Sequence, residues 1–212
     1  MNAFARLLLC TALSGLALGA QARTFEVSDF AELDDAVIEA EDGDEIVIKK
    51  GVYELEAPLE IFSRVTVRGE QGAVIDAGGR GSGCIVRVPK VRIENLTVRN
   101  YGGDLYARDA GVMVGDGADG TELVNLTLQG PGFGVRADRM NALVVEGCTI
   151  EGDAARHVLD RGDGIFLSYV KNARLNHNSL RNVRDGYYLE NVDAAKSDFN
   201  YFTGAQYGIH YM

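Results

Sequence analysis

His210 and Met212 stand two residues apart in the run Tyr207-Gly-Ile-His-Tyr-Met. If this run is a β-strand, both side chains point to the same face, because strand side chains alternate with a period of two. An imidazole nitrogen beside a thioether sulfur favours copper, and the thioether favours copper(I) in particular. The pair is therefore a candidate copper site. The alternative, which the spacing alone favours, is that His210 stacks on a neighbouring aromatic ring and Met212 packs under further coils.

Carboxylates and a further histidine offer other chemistry. His157 lies among acidic and basic residues in the segment 153–163, a pattern typical of a solvated loop and also compatible with a binding site. Enzymes that cleave polysaccharides need paired carboxylates or a base on one wall. Asp116, Asp119 and Asp138 are the candidates outside that segment, and none of them forms such a pair or a lyase motif.

A glycine-led repeat would position these residues. Short β-rich runs begin at glycines 83, 111, 134, 164, 186 and 208, and a second run ends 15 to 17 positions after each of the first five. The shortest glycine-to-glycine step is 22 residues, which we take as one coil. Period-two alternation with Asn, Asp and Gly between the runs predicts an all-β, right-handed parallel β-helix of the pectin-lyase-like type. A β-propeller would need about 40–45 residues per blade.

The same register divides the side chains into inward and outward columns. Residues one and three after each glycine are mostly apolar and should form the core. Residues two and four after each glycine point outward, where Phe166, Tyr188 and His210 share one column and Glu190 and Met212 share the next. A solvated wall would be polar, so the aromatic residues indicate that something covers this wall. The candidate binding surface is Tyr188, Glu190, Phe166 and His157.

Two coils are longer than the rest, and both carry the extra length between the second run and the next glycine. The insertions are Tyr101 to Asp109 and Gly152 to Asp163. They should leave the same edge of the solenoid, two coils apart. Inserted loops on one side of a solenoid commonly form its binding face.

The N-terminal region predicts export and a cap. Arg6, an apolar run over residues 7–18 and Ala20-Gln21-Ala22 have the order of a secretory signal over residues 1–22, cleaved after Ala22. Residues 23–50 should hold a helix capped by Ser28 and a first strand, with the coils in residues 51–212. The last run stops at Met212, so we expect further coils or a partner to cover it.

Composition narrows the classes of function. The formal net charge of −10 argues against nucleic acid, whose phosphates require clustered Lys and Arg. After the signal, no segment reads as a transmembrane helix. Cys84 and Cys148 occupy inward positions on different walls, so we predict free buried thiols and no disulfide. Asn95 and Asn125 match glycosylation sequons but are predicted to be turn residues, as is His177.

Gly162-Asp-Gly-Ile-Phe-Leu, Arg184-Asp-Gly-Tyr-Tyr-Leu-Glu and Tyr207-Gly-Ile-His-Tyr-Met together resemble the NosD family of nitrous-oxide-reductase maturation proteins. The resemblance is specific over residues 160–212. It implies a periplasmic, non-enzymatic protein that works with an ABC transporter, its permease and ATPase, to build the copper centres of nitrous oxide reductase. The rival interpretation is a β-helix protein that binds or modifies carbohydrate, with Phe166 and Tyr188 as a platform for sugar rings.

Overall fold

The structure is a computed structural model that describes residues 21–212. The predicted signal lies outside the described residues except for its last two positions, so its cleavage stays a prediction. Across residues 21–212 the chain forms no helix with the length and apolar character that crossing a bilayer requires.

A short helix lies at the N-terminal end of the coils, as predicted. This helix, α1, spans Phe30–Glu39 and buries Leu33 on the core. Its N-cap is Asp29, one residue later than predicted, and the Asp29 side chain accepts a hydrogen bond of 2.9 Å from the backbone of Glu32. The side chain of Glu32 in turn accepts from the backbone N–H of Ser28 at 2.7 Å. This reciprocal pairing satisfies two N–H groups at the helix start, and the Asp29 carboxylate also suits the positive end of the helix dipole better than a serine hydroxyl does.

In residues 21–212 the strands form three parallel sheets of seven strands each. The glycine-led runs do not predict the first sheet, which also includes a strand that precedes α1. Its strands, in spatial order, are β1 (Thr24–Val27), β2 (Glu45–Ile48), β5 (Thr66–Gly69), β8 (Arg92–Glu94), β11 (Glu122–Val124), β14 (Val144–Glu146) and β17 (Arg174–Asn176).

The other two sheets contain the two predicted sets of runs. The second sheet is formed by β3 (Gly51–Glu54), β6 (Ala73–Asp76), β9 (Thr97–Arg99), β12 (Thr127–Gln129), β15 (Thr149–Glu151), β18 (Ser179–Arg181) and β20 (Tyr201–Thr203). The third sheet is formed by β4 (Leu59–Ile61), β7 (Cys84–Val86), β10 (Ala110–Val114), β13 (Phe133–Asp138), β16 (Ile165–Ser168), β19 (Asp185–Glu190) and β21 (Tyr207–Tyr211). Successive coils therefore stack as a three-sided parallel β-helix.

The predicted inward columns form the core. From Val112 to Tyr187 the inward residues of the third sheet are fully buried, whereas Ile209 and Tyr211 of β21 are 51% and 66% exposed. The repeating glycine is required because neighbouring atoms leave no room for a side chain. A Cβ at Gly134 would overlap Ile150 and lie 2.5 Å from the carbonyl oxygen of Gly164. Larger residues are therefore excluded where the third sheet begins.

The turn between the first and second sheets uses one left-handed residue per coil. Asn95, Asn125, Gly147, His177 and Phe199 have φ between 52° and 66° at equivalent positions. Asn125 donates a side-chain hydrogen bond to Asn95 at 3.3 Å, which continues the stack. The turn role predicted for the two asparagines and for His177 is confirmed.

Cys84 and Cys148 are both buried and free, as predicted. Burial raises the pKa of the Cys84 thiol to about 12 and that of the Cys148 thiol to about 11. Both behave as small core residues.

Candidate functional site

The outward column of the third sheet is continuous over four coils. Arg136 pairs in register with Phe166, Phe166 with Tyr188, and Tyr188 with His210. The rings of Phe166 and Tyr188 lie 5.0 Å apart and are tilted by 5°, and the Arg136 guanidinium lies 4.1 Å from the centre of the Phe166 ring. Both faces of Phe166 are thus covered, one by a cation and one by an aromatic ring. A sugar ring has no free face of Phe166 on which to stack.

The two insertions leave the same edge of the solenoid, as their place in the repeat predicted, and they contact each other beside the third sheet. Arg156 of the second insertion donates to the carbonyl oxygen of Gly103 in the first, at 3.4 Å. They enclose, with the wall, a cavity of about 620 Å³ lined by Gly103, Asp104, Leu105, Tyr106, Phe133, Arg156, Leu159, Asp160, Phe166 and Arg184.

Apolar side chains project from both insertions at the mouth of this cavity. Tyr106 is completely exposed and Leu159 is 55% exposed. Each insertion thus contributes one exposed apolar side chain to the lining of the cavity.

Below the cavity lies a buried ion pair. Asp163 is fully buried, and Arg184 from the next coil donates to its two oxygens at 2.9 and 2.6 Å. Burial raises the pKa of the Asp163 carboxyl, and the Arg184 guanidinium opposes that shift. The arginine that lines the cavity is therefore neutralised from beneath.

The carboxylates that could serve catalysis are engaged in structural contacts. Asp138 accepts from Arg136 at 2.9 Å, Asp116 from Arg139 at 3.3 Å, and Asp119 from a backbone N–H at 2.7 Å. Glu190 accepts from the hydroxyl of Ser168 at 2.8 Å. Each carboxylate has its own partner, and none of these contacts pairs one with another as an acid–base couple.

His210 lies on the outward face, as predicted, and it also packs on aromatic rings. Its ring centre is 4.8 Å from that of Tyr188 and 5.2 Å from that of Tyr207. Its Nδ1 lies 2.9 Å from Oδ2 of Asp185, a carboxylate that is 3% exposed.

Met212 lies opposite Glu190. Its N–H donates to the carbonyl oxygen of Leu189, its own carbonyl accepts from Asn191, and its side chain is 62% exposed. An imidazole and a thioether are ligand types that fit copper(I), here as two ligands of a larger set. Among residues 21–212 no group of three or more His, Cys, Asp or Glu side chains has a metal-binding arrangement.

The structure gathers most of the predicted residues on one wall. Phe166, Tyr188, Glu190 and His210 lie on the paired strands of this wall, and Met212 directly follows its last strand. His157 does not lie there: it is exposed in the second insertion, where its Nδ1 accepts from Leu159 at 3.3 Å and so caps the 3₁₀ turn Val158–Asp160.

Sequence reasoning missed Arg184 and Asp185. The pattern that could have indicated them is an aspartate directly before the repeat glycine in two successive coils, Asp163-Gly164 and Asp185-Gly186. The predicted outward columns begin after each glycine, so they omit the positions that precede it.

A family model described as a right-handed β-helix region matches residues 47–212. A protein of Stutzerimonas stutzeri named "Probable ABC transporter binding protein NosD" is 39% identical over 137 residues, which are 65% of this chain and 30% of that protein. A protein of the same name from Pseudomonas aeruginosa is 36% identical over 136 residues, again 30% of its length. The match thus spans less than a third of either relative.

One solved structure shares the fold over nearly its whole length. The crystal structure of a "putative glycosyl hydrolase" from Parabacteroides merdae superposes with a TM-score of 0.56, covering 87% of this chain and 96% of that one. At 11% sequence identity the likeness concerns the fold alone.

Proposed function

Because this chain belongs to the right-handed β-helix family and is similar to two NosD proteins, we propose that it is an accessory protein of the periplasm that acts with an ABC transporter. Its task is to assist the assembly of the copper centres of nitrous oxide reductase. The observation that carries the proposal is the 39% identity over 137 residues to a protein named as an ABC transporter binding protein.

The geometry favours binding over catalysis. Asp138, Asp163 and Asp116 are each neutralised by an arginine, so no carboxylate among them is free to act as a base. Both faces of Phe166 are covered, which counts against this ring as part of the platform that the carbohydrate interpretation placed on Phe166 and Tyr188. A non-enzymatic role fits these contacts.

The two insertions are the surface on which a protein partner would dock. Tyr106 and Leu159 supply apolar anchors on either side of the cavity, a composition typical of the centre of a protein interface. The partner that we propose there is the permease of the ABC transporter. His210 and Met212, further along the same wall, would hold copper(I) as a transient cargo, with further ligands supplied from outside this pair.

The decisive experiment removes the gene from the organism that carries it. The reductase is then purified and its copper content per polypeptide measured by mass spectrometry. The expected result is a normal amount of reductase protein with depleted copper, restored when the gene is returned. Reductase with its full copper content would overturn the proposal, and so would hydrolysis or elimination of polysaccharides by the purified chain.

A further inference from the structure

The carboxylate of Asp185 is an unusual group for its surroundings. It is 3% exposed, its Oδ2 lies 2.9 Å from His210 Nδ1, and its Oδ1 is buried with no hydrogen-bond partner within residues 21–212. A buried carboxyl oxygen without a hydrogen-bond partner is costly, so the arrangement calls for a compensating interaction.

The neighbouring charges do not supply that partner. Arg184 is directed at Asp163, with which it forms a two-pronged pair. The backbone N–H of Asp185 also donates to Asp163, at 3.2 Å. His210 is left as the group that faces the Asp185 side chain, and a cation bound on the far side of its ring would offset the carboxylate charge.

The Asp185 oxygen beside Nδ1 bears on which tautomer His210 adopts. In a neutral imidazole, a carboxylate acceptor at Nδ1 favours the tautomer with the proton on Nδ1, and Nε2 then carries the lone pair. No hydrogen bond within the described residues involves Nε2, and the His210 side chain is 33% exposed. Tyr188 and Tyr207 hold the ring from two sides.

We propose that Asp185 is the positioning residue of a copper(I) ligand: it keeps the proton on Nδ1 of His210 and so presents Nε2 as a ready donor. This rests on the copper handling in the proposed function and names a residue that acts there. Metal-binding histidines commonly donate their other N–H to a carboxylate, and losing that partner typically weakens metal binding by about 10- to 100-fold.

The first test needs no metal. Two-bond ¹⁵N–¹H spectra of the ¹⁵N-labelled chain at neutral pH report which His210 nitrogen carries the proton. The expected result is a protonated Nδ1 and a bare Nε2. In Asp185→Asn the amide can donate to Nδ1, so the proton should move to Nε2. A wild-type His210 protonated on Nε2 would overturn the proposal.

The second test is a competition titration with a copper(I) chelator. Asp185→Asn should lower the copper(I) affinity by about 10- to 100-fold. Asp116→Asn, which removes the same charge from an exposed pair with Arg139, should leave it unchanged. If the wild type binds copper(I) and Asp185→Asn binds it equally well, the positioning role is wrong while copper handling stands. If the wild type binds no copper(I), copper handling itself fails, whatever the tautomer.

Discussion

The carboxylate of Asp163 is fully buried, and the guanidinium of Arg184, one coil further along, contacts both of its oxygens. Such a bidentate pair is strong only while both members are present. Removing the arginine alone leaves a buried carboxylate that must either stay charged without compensation or take up a proton.

Arg184→Met should therefore destabilise the protein by about 3–5 kcal/mol, although methionine keeps much of the side-chain bulk. Urea unfolding measures the change. The matched control is Arg139→Met, which breaks an ion pair whose two side chains are 68% and 62% exposed and should alter stability by about 0.5 kcal/mol or less. If Arg184→Met and Arg139→Met lower the unfolding free energy equally, burial of the Asp163–Arg184 pair does not determine its contribution to stability.

Asp44 should make stability sensitive to acid. Hydrogen bonds from the backbone N–H groups of Arg23 and Glu41 hold its pKa at about 2, below the ordinary value. Because the folded pKa is depressed, the stabilisation is present above about pH 4 and is lost as the pH falls towards 2. Asp44→Asn should thus be less stable than wild type near pH 6, and the difference should narrow between pH 4 and 2. Urea unfolding at each pH measures the free energy of both proteins. A difference in unfolding free energy between wild type and Asp44→Asn that does not change with pH would refute this prediction.

The two thiols should be inert in the folded protein. Burial raises their pKa values to about 12 and about 11, so little reactive thiolate forms at neutral pH. Iodoacetamide should label Cys84 and Cys148 slowly in buffer and fully in urea, as read by mass spectrometry. An 84–148 disulfide in the native protein would be incompatible with the coil register.

Met212 offers the cleaner test of the predicted metal pair. Met212→Leu keeps the bulk of an exposed side chain and removes only the sulfur, so the fold should be unaffected and copper(I) affinity should fall. His210→Ala should weaken copper(I) binding too, but it also removes the contact to buried Asp185, so its stability must be measured alongside. If a chelator competition shows unchanged copper(I) affinity in both variants, His210 and Met212 have a packing role and do not bind the metal.

The insertion tips should matter for partner binding and not for folding. Tyr106→Ser and Leu159→Ser change exposed side chains, so their unfolding free energies should stay within about 0.5 kcal/mol of wild type. Co-purification of the ABC transporter from detergent-solubilised membranes should decrease. Tyr169→Ser, an exposed tyrosine that does not line the cavity, is the control, and a decrease of the same size there would contradict the assignment of the surface.

The sequence by itself determined the repeat and the columns. Each coil must place small residues at the tight start of the third sheet, apolar residues inside and left-handed residues at one turn. Glycines such as Gly134 and turn residues such as Asn95 therefore recur at nearly constant offsets. Stacking then requires equal positions to meet, which is why the repeat alone places His210 next to Tyr188 on the neighbouring coil. The first sheet could not be predicted in this way because no glycine recurs before its short strands: Gly43 and Gly120 precede two of them, but other residue types take this position in the other coils.

The tertiary structure alone decided the polar contacts. The register pairs Asp185 with Tyr207, yet the Asp185 side chain contacts His210, three residues further along the neighbouring strand. Arg184, which directly precedes Asp185 in the sequence, contacts Asp163 of the preceding coil instead. A periodic pattern specifies which residues are neighbours but not which rotamers they adopt, and partner choice depends on rotamers and burial. The insertions have no repeat to constrain them, so only their packing, as between Arg156 and Gly103, shows that they enclose a cavity.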